Sequence, residues 1–280
     1  MTKYWDVTVS SKHKLFDLKL PELVHYRDLI AMFFVRDFTS IYKQTILGPL
    51  WHIINPLCST VVYAFIFGNL ARMGTGNIPY LLFYYGGTML WTFFSNCLNG
   101  AAGIFLNNAG VFSKVYFPRL TVALSIIFSA VAKMLIQFAI LLIFFVYYAV
   151  KGNSINPSWH VLLFPLLVVW LAMLGAGCGM IFSALTTKYR DLNHLLGLVI
   201  QLAMYVTPVV YPLSQVPEKF FFFFYINPVS APMEIFRIWF YGSGSLPYQM
   251  ILSSIGITAL IMLLGLGLFT RTERNFVDVI

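Results

Sequence analysis

Charged residues are scarce in this chain. Its 280 residues include 18 Lys and Arg and 10 Asp and Glu, or 10% of the chain, whereas soluble domains carry roughly 25%. Hydrophobic residues make up 59%, and the mean hydropathy is +0.80. This composition excludes a soluble globular domain and predicts an all-α polytopic membrane protein. The net charge of +8 is explained by the orientation rule for membrane proteins, so no nucleic-acid partner is expected.

Cysteine is also rare, and its positions exclude two kinds of site. Cys58, Cys97 and Cys178 lie in apolar runs, without the spacing of metal ligands or of a disulfide framework. Unpaired cysteines are commonly buried as small apolar residues. We therefore expect these three to be packing residues, and we expect no metal site.

The motifs of nucleotide hydrolysis and of covalent catalysis are missing. The chain has no G-x-x-x-x-G-K-[ST], no H-E-x-x-H and no G-x-S-x-G. His52 and His194 stand alone and are interpreted as structural. The chain is therefore not expected to be an enzyme or to hold a cofactor. The alternative, a polytopic membrane enzyme acting on lipid-linked sugars, needs a catalytic carboxylate or His near a membrane face. The carboxylates in the connections are Glu218, Glu234 and Asp191.

The N-terminal part is the most polar. Residues 1–21 are interpreted as a cytoplasmic tail, and residues 22–46 as an amphipathic helix lying in the membrane interface. Five residues share its apolar side: Leu23, Ile30, Phe34, Phe38 and Ile41. Leu29 and Phe33 break this pattern, and Arg27 lies on the apolar side. A soluble helix packed on a partner is the alternative.

Six apolar stretches follow, each near the roughly 20 residues that cross a bilayer core of about 30 Å. They lie at about 50–70, 80–103, 118–150, 160–186, 192–212 and 248–270, within one membrane domain that spans 1–280 and ends in a cytoplasmic tail, 271–280. The third would be about 50 Å long as a helix and must tilt or project. With the N-terminus inside, 13 Lys and Arg lie on the cytoplasmic side and four on the outer side. This asymmetry predicts that both termini are cytoplasmic.

Two connections between spans are unusual. Residues 104–117 form a short cytoplasmic connection with a helical turn or two. The outer connection, 213–247, contains five consecutive phenylalanines, Phe220 to Phe224, which would expose a large apolar patch to water. Its prolines prevent one continuous helix. It is therefore predicted to be re-entrant, as two half-inserted helices that break near Asn227 and Pro228.

Lys133 lies within a predicted span, where an ionisable residue must face a polar cavity or a partner. Gln137 follows one turn later on the same face. The alternative is that Lys133 reaches a membrane interface or pairs with a neighbouring helix. Aromatic residues make up 18% of the chain. Many fit an ordinary interfacial belt, and the others could form a surface on which sugar rings stack.

Several local patterns together resemble one family. They are YKQTILGPLWHIINP (42–56), VYFPRLTVALS (115–125), KYRDLNHLL (188–196) followed by TPVVYP (207–212), NPVSAPMEIFR (227–237) and ERNFVDVI (273–280). In this order they resemble the ABC-2-type transporter permeases, the membrane subunits that export O-antigen polysaccharide, capsule and teichoic acid. The resemblance covers the whole chain.

The resemblance implies a homodimer in the bacterial cytoplasmic (inner) membrane. It also implies two copies of a separate P-loop ABC ATPase, which binds ATP and Mg²⁺ in place of this chain. The expected cargo is a lipid-linked polysaccharide, with O-antigen preferred and teichoic acid, capsule, a drug or a lipid as alternatives. Because a glycan is too wide for the centre of one six-helix subunit, it should pass between two copies.

The residues expected to carry these roles fall into four groups. The wall of the pathway comprises Trp51, Tyr63, Phe67, Tyr84, Tyr85 and Lys133. The lipid pyrophosphate is expected to meet Arg27, Arg36 and Lys43 at headgroup depth. The ATPase is expected to dock on Asn107, Phe112, Lys114, Val115 and Phe117. The outer gate comprises Phe221, Phe223, Asn227 and Pro228.

Overall fold

Helices make up most of the described chain. The structure is a computed structural model that describes residues 20–40, 48–76, 78–112, 114–115, 117–152, 155–189, 191–244 and 246–275, and these residues contain no strand. Most of the predicted N-terminal tail lies outside this part of the chain, as does Lys43.

Two helices take the place of the single amphipathic helix predicted over 22–46. They are α1 (Leu20–His25) and α2 (Arg27–Ser40), and the helix breaks at Tyr26. Residues 41–46 of the predicted helix lie outside the described chain. α2 packs along the long helix α7 (Leu120–Val150). Leu29 and Phe33, which break the predicted pattern, belong to a second apolar side that faces the protein, since Phe33 is only 4% exposed. Periodicity located one apolar side, but it did not show that α2 has two.

Four helices within the described residues are long and apolar enough to cross a membrane, and they match the first, third, fourth and sixth predicted spans. Their bounds are Trp51–Leu70, Leu120–Val150, Trp159–Lys188 and Tyr248–Glu273. The first comprises α3 (Trp51–Tyr63) and a π-helical end (Ala64–Leu70). The fourth span contains α8 (Phe164–Lys188), and the sixth is α12 (Tyr248–Asn275), which continues into the predicted C-terminal tail.

The second and fifth predicted spans do not meet both requirements of length and hydropathy. α4 (Tyr80–Ala102) has 23 residues, but polar side chains such as Asn96 and Asn99 lower its hydropathy. α9 (Leu192–Val206) has 15 residues, about 22 Å, which is shorter than the bilayer core. The predicted helical end at 212 was wrong. Pro208 and Pro212 stop the helix, and residues 207–210 form a buried turn instead.

The central helix is α4, which packs mainly against α8 and α7. All of residues 82–90 are buried. Glycines allow the close approach of the helix backbones, because a Cβ on Gly179 of α8 would lie 2.4 Å from the carbonyl oxygen of Leu98. Similarly, a Cβ on Gly265 of α12 would lie 2.5 Å from the carbonyl oxygen of Gly177. α4 is thus enclosed by protein along most of its length.

Four further α-helices lie in the connections of the described chain, and 3-10 helices cover Gly48–Leu50, Trp159–Leu163, Leu213–Gln215 and Glu218–Phe220. The four α-helices are α5 (Ile104–Asn107), α6 (Ala109–Phe112), α10 (Phe221–Ile226) and α11 (Ser230–Tyr241). α5 and α6 lie in the connection predicted to carry a helical turn or two. α10 and α11 are separated at 227–229, so the predicted break near Asn227 and Pro228 is confirmed.

Candidate functional site

Two polar stripes face each other between α4 and α7. Residues three or four apart lie on one side of a helix, and each stripe follows that spacing. The stripe on α4 comprises Thr88, Thr92, Asn96 and Asn99, and the stripe on α7 comprises Ser129, Lys133 and Gln137. Together with α2 and α3 they line two half-open cavities that share Asn96, and we refer to these two cavities as the polar groove.

The larger cavity, the lysine cavity, has a volume of about 440 Å³. α2 contributes Arg36 and Asp37 to its lining, and α7 contributes Lys133. Amide and hydroxyl side chains supply most of the remaining polar surface: Asn96, Asn99, Asn107, Asn108 and Ser129. With two cations and one carboxylate, the cavity carries a net charge of about +1.

Arg36 is held in this cavity from three sides. Its Nε donates to Asp37 Oδ1 at 2.8 Å, and its Nη2 donates to Asn108 Oδ1 at 3.2 Å. The guanidinium carbon also lies 4.6 Å from the centre of the Phe33 ring. Asn108 is fixed in turn, because its Nδ2 donates to the carbonyl oxygen of Ile104 at 3.1 Å. The connection after α4 therefore positions an arginine that belongs to the N-terminal helix.

The smaller cavity, the tyrosine cavity, has a volume of about 270 Å³. α3 lines one side with Trp51, His52, Asn55, Ser59 and Tyr63. α3 and α7 are joined here, since Gln137 Nε2 donates to the carbonyl oxygen of His52 at 3.2 Å. This cavity therefore combines aromatic faces with hydroxyl and amide groups.

The structure places the six predicted pathway residues in different surroundings. Trp51 and Tyr63 line the tyrosine cavity, and Lys133 lines the lysine cavity. Phe67 is half-buried between the rings of Tyr63 and Tyr84. Tyr84 and Tyr85 are 0% exposed, so in this conformation a sugar cannot stack on either ring. They lie on α4 where protein surrounds the helix, and Phe144 covers the Tyr85 ring.

The residues predicted to meet the lipid pyrophosphate do not share one site within the described chain. The side chain of Arg27 is 81% exposed and lies 3.8 Å from Asp28. Arg36 instead points into the lysine cavity. Lys43 lies outside the described residues.

The predicted docking residues also divide into two groups. Phe112 and Phe117 are buried in an aromatic cluster with Phe33 and Phe105, so neither ring faces a partner in this conformation. Asn107, Lys114 and Val115 are exposed. All five residues lie in the same short connection, and only the tertiary fold separates the buried phenylalanines from the exposed residues.

Arg119 ties this connection to the end of α12. Its backbone N–H donates to Glu273 Oε1 at 3.2 Å, and its guanidinium donates to the backbone carbonyl of Glu273. The guanidinium carbon also lies 5.2 Å from the centre of the Phe112 ring. The segment that follows α6 is thus held by the C-terminal helix.

In the predicted outer gate, hydrogen bonds hold the break between α10 and α11. Asn227 Nδ2 donates to Thr207 Oγ1 at 2.8 Å, and Asn227 Oδ1 accepts from the Val229 N–H at 3.1 Å. The carbonyl oxygen of Pro228 accepts from Ser254 Oγ of α12. Phe221 is half-buried, whereas Phe223 is 55% exposed.

Sequence reasoning missed a buried ion pair on α11. Arg237 Nη1 donates to Glu234 Oε1 at 2.6 Å, and both side chains are almost fully buried. Arg237 also donates to the carbonyl oxygens of Val209 and Tyr211, at 3.0 and 3.2 Å. The available signal was two opposite charges three residues apart on an otherwise apolar helix. Arg237 is one of the four Lys and Arg assigned to the outer side by the charge count, and that count does not consider pairing with Glu234.

Metal ligands do not come together in the described part of the chain, where no group of three His, Cys, Asp or Glu side chains is found. The chemistry of the polar groove is therefore that of hydrogen bonding, charge and aromatic contact.

Comparison with known proteins gives one family and several relatives. A family model described as ABC-2 type transporter matches residues 28–241. The chain is 30% identical to the O-antigen export system permease protein RfbA of Klebsiella pneumoniae over 254 residues, which cover 90% of this chain and 95% of that protein. It is 24% identical to the protein of the same name from Myxococcus xanthus over 261 residues, covering 92% and 98%. It is 25% identical to the polysialic acid transport protein KpsM of Escherichia coli over 210 residues, covering 74% and 79%.

Proposed function

Because the chain belongs to the ABC-2 type transporter family, we propose that it is the membrane-spanning permease subunit of an ATP-driven exporter of lipid-linked polysaccharide. It is a multi-pass protein of the bacterial cytoplasmic (inner) membrane. O-antigen is the preferred cargo, because three relatives named for O-antigen export are 24–30% identical to this chain over 90% or more of its length. Capsular polysaccharide is the alternative, favoured by 21% identity over 266 residues to the capsule polysaccharide export inner-membrane protein CtrC of Neisseria meningitidis.

The observation that carries this proposal is the polar groove. Its two cavities lie along α4 and α7, in a chain that is otherwise strongly apolar. A sugar chain offers hydroxyl groups to amides and apolar C–H faces to aromatic rings. The groove provides both, through Asn96 and Asn99 on one side and Trp51 and Tyr63 on the other. A drug or a lipid tail would leave most of these amides without partners, which is unfavourable within a membrane.

The proposed pathway runs between two copies of the chain. Both cavities are half-open, so one subunit alone does not enclose a polymer. α3 supplies the edge of the groove, and the first span exposes apolar side chains such as Val61 on α3 and Phe65 on the π-helical end. A second copy packed against this span would close the groove and shield it from lipid.

The proposed energy source is a separate P-loop ATPase, which would bind ATP and Mg²⁺ outside this chain. Two copies would serve the homodimer. The exposed residues Asn107, Lys114 and Val115 are the proposed docking surface, held in place by Arg119 and the buried aromatic cluster beneath them.

The two ends of the proposed pathway follow from the charges and aromatics. Arg27, Arg36 and Lys43 would attract a lipid pyrophosphate to α2 from the cytoplasmic leaflet. At the other end, α10 and α11 would re-enter the membrane from outside and form the gate. The hydrogen bonds of Asn227 and Pro228 to neighbouring elements would hold the break between these two helices.

Deletion of the gene tests the function. We expect the deletion strain to lose surface polysaccharide and to accumulate lipid-linked polymer inside the cell, and expression of this chain to restore export. The accumulated polymer identifies the cargo, O-antigen or capsule. Unchanged surface polysaccharide in the deletion strain would contradict the proposal.

Two substitutions connect the test with the groove. We expect Trp51→Ala together with Tyr63→Ala to reduce export about tenfold or more, because stacking on one aromatic ring is worth roughly 1–3 kcal/mol. Trp159→Ala is the control, since Trp159 is exposed and does not line the groove. Surface polysaccharide is measured at matched protein levels.

A further inference from the structure

The lysine cavity contains two polar groups whose interactions are incomplete. Lys133 forms no ion pair or hydrogen bond with the rest of the described chain, although Asp37 is near enough to interact with its charge. Ser129, one turn earlier on α7, is 5% exposed, and its hydroxyl has no hydrogen-bond partner among the described residues. Both side chains line the cavity. A charge without an ion-pair partner and a hydroxyl without a hydrogen-bond partner are unfavourable inside a membrane helix unless a ligand or water supplies the missing partner.

The other residues that line the cavity indicate what kind of ligand would bind Lys133 and Ser129. Asn96 and Asn99 present amides that can both donate and accept hydrogen bonds, as the hydroxyls of a sugar require. Asp37 offsets the charge of Arg36, to which it is hydrogen-bonded, so Lys133 supplies the excess positive charge. A volume of about 440 Å³ lies within the range of small-molecule sites.

We propose that the lysine cavity binds a sugar that carries an anionic group, with the anion at Lys133 and the sugar hydroxyls at Ser129, Asn96 and Asn99. This inference rests on the proposed function and names the part of the cargo that the cavity takes. The anion is either the phosphate that links the first sugar to its lipid or the carboxylate of an acidic sugar in the polymer. A neutral apolar ligand would leave Lys133 uncompensated, and a metal cation would meet a cavity of positive charge.

The test uses the full-length chain, purified in detergent, and small soluble probes. Thermal unfolding is followed at increasing concentrations of glucose 1-phosphate, glucuronate, glucose and inorganic phosphate. A ligand that binds only the folded protein raises the unfolding temperature, and at a given concentration a ligand that binds more tightly raises it further. We expect glucose 1-phosphate or glucuronate, or both, to stabilise the protein more than glucose or inorganic phosphate does. The stronger of the two identifies the source of the anion.

Matched lysine variants locate the site. Lys133→Met should weaken the apparent affinity for the stabilising probe about tenfold or more, as expected for the loss of a charge-assisted hydrogen bond. Lys151→Met should leave it unchanged, because Lys151 is exposed just beyond the far end of the same helix. Lys133→Arg keeps the charge and should retain binding. If Lys133→Met does not fold, Asn99→Asp replaces it, because a second carboxylate at this exposed position should repel the anion.

Three results would contradict the proposal that the lysine cavity binds an anionic sugar. One is an equal response of Lys133→Met and the wild type. Another is stabilisation by glucose or inorganic phosphate that is as strong as stabilisation by glucose 1-phosphate and glucuronate. The third is no response to any of the probes. Failure of the sugar–anion site would appear only in these binding measurements. Failure of the proposed export function would appear only in the deletion experiment, so the two can be told apart.

Discussion

Glu234 and Arg237 show how single residues hold neighbouring helices and turns together. Their carboxylate and guanidinium pair in the interior, and Arg237 also packs 4.1 Å above the Phe83 ring and donates to two carbonyls of the turn after α9. The Leu213 N–H donates to Glu234 Oε1 at 3.3 Å. The pair therefore connects α11 with α4 and with the turn that replaces the end of the fifth predicted span.

Arg237→Met tests this role. Removing one partner of a buried ion pair leaves the other charge uncompensated, which typically destabilises a protein by about 3–5 kcal/mol. We expect a markedly lower unfolding temperature for the purified chain. Lys219→Met is the control, because Lys219 is an exposed cation of the same segment, and exposed substitutions usually change stability by less than about 0.5 kcal/mol. Equal unfolding temperatures for the two variants would show that the pair does not fasten these elements.

At the scale of elements, the connection between α4 and α7 combines a buried anchor with an exposed surface. Phe112 and Phe117 belong to the anchor, which also contains Phe33 of α2 and Phe269 of α12. Lys114 and Val115 project outward, and Val115 is 58% exposed. A force applied at the exposed surface would thus reach α2 and α12 through packed aromatic rings.

We expect Lys114→Glu with Val115→Asp to reduce co-purification of the ATPase about tenfold, while the permease remains inserted and folded. Reversing a charge and adding another in the docking surface should produce repulsion and desolvation. Lys188→Glu, the same charge change at an exposed residue on the end of α8, should leave co-purification unchanged. Recovery of the ATPase with the double variant at the wild-type ratio would place the contact elsewhere.

Sequence reasoning predicted long helices better than it predicted their surroundings. Hydropathy located α3, α7, α8 and α12, because each consists of a long apolar run. It could not show that Tyr84 and Tyr85 are covered, since burial depends on which helices surround α4. It identified Lys133 as a polar position but not its neighbours Arg36 and Asp37, which come from a helix nearly 100 residues earlier in the chain.

The outer segment allows a second test at this scale. In a variant without Cys58, Cys97 and Cys178, we expect Phe223→Cys to react slowly with a membrane-impermeant thiol reagent, because a re-entrant α10 places this exposed side chain in lipid. Glu218→Cys, five residues earlier and also exposed, should react rapidly. Equal rates at the two positions would indicate an ordinary loop in water.

For the whole molecule, the number of spans decides which loops share a side. Four spans would place the loop after α7 on the cytoplasmic side and the loop after α8 outside. Six spans, with α4 and α9 also crossing, reverse both assignments. The excess of Lys and Arg on one side of the six-span arrangement supports that arrangement.

We therefore expect Asn156→Cys to be labelled from outside intact cells and Asp191→Cys to be protected. Both residues are exposed, and they lie at opposite ends of α8, so each is the control for the other. The same cysteine-free background is used. Labelling of Asp191→Cys with protection of Asn156→Cys would establish four spans instead.

The enclosure of α4 has a consequence for how the protein is made. In the six-span arrangement, a ribosome delivers α4 to the membrane before α7 and α8 exist, yet those two helices later pack against most of its length. In that arrangement, Asn96 and Asn99 lack the facing polar stripe of α7 until this helix arrives, and insertion of a central polar residue is unfavourable. α4 therefore reaches its final position only after α7 and α8 have been synthesised, which requires roughly the first two thirds of the chain.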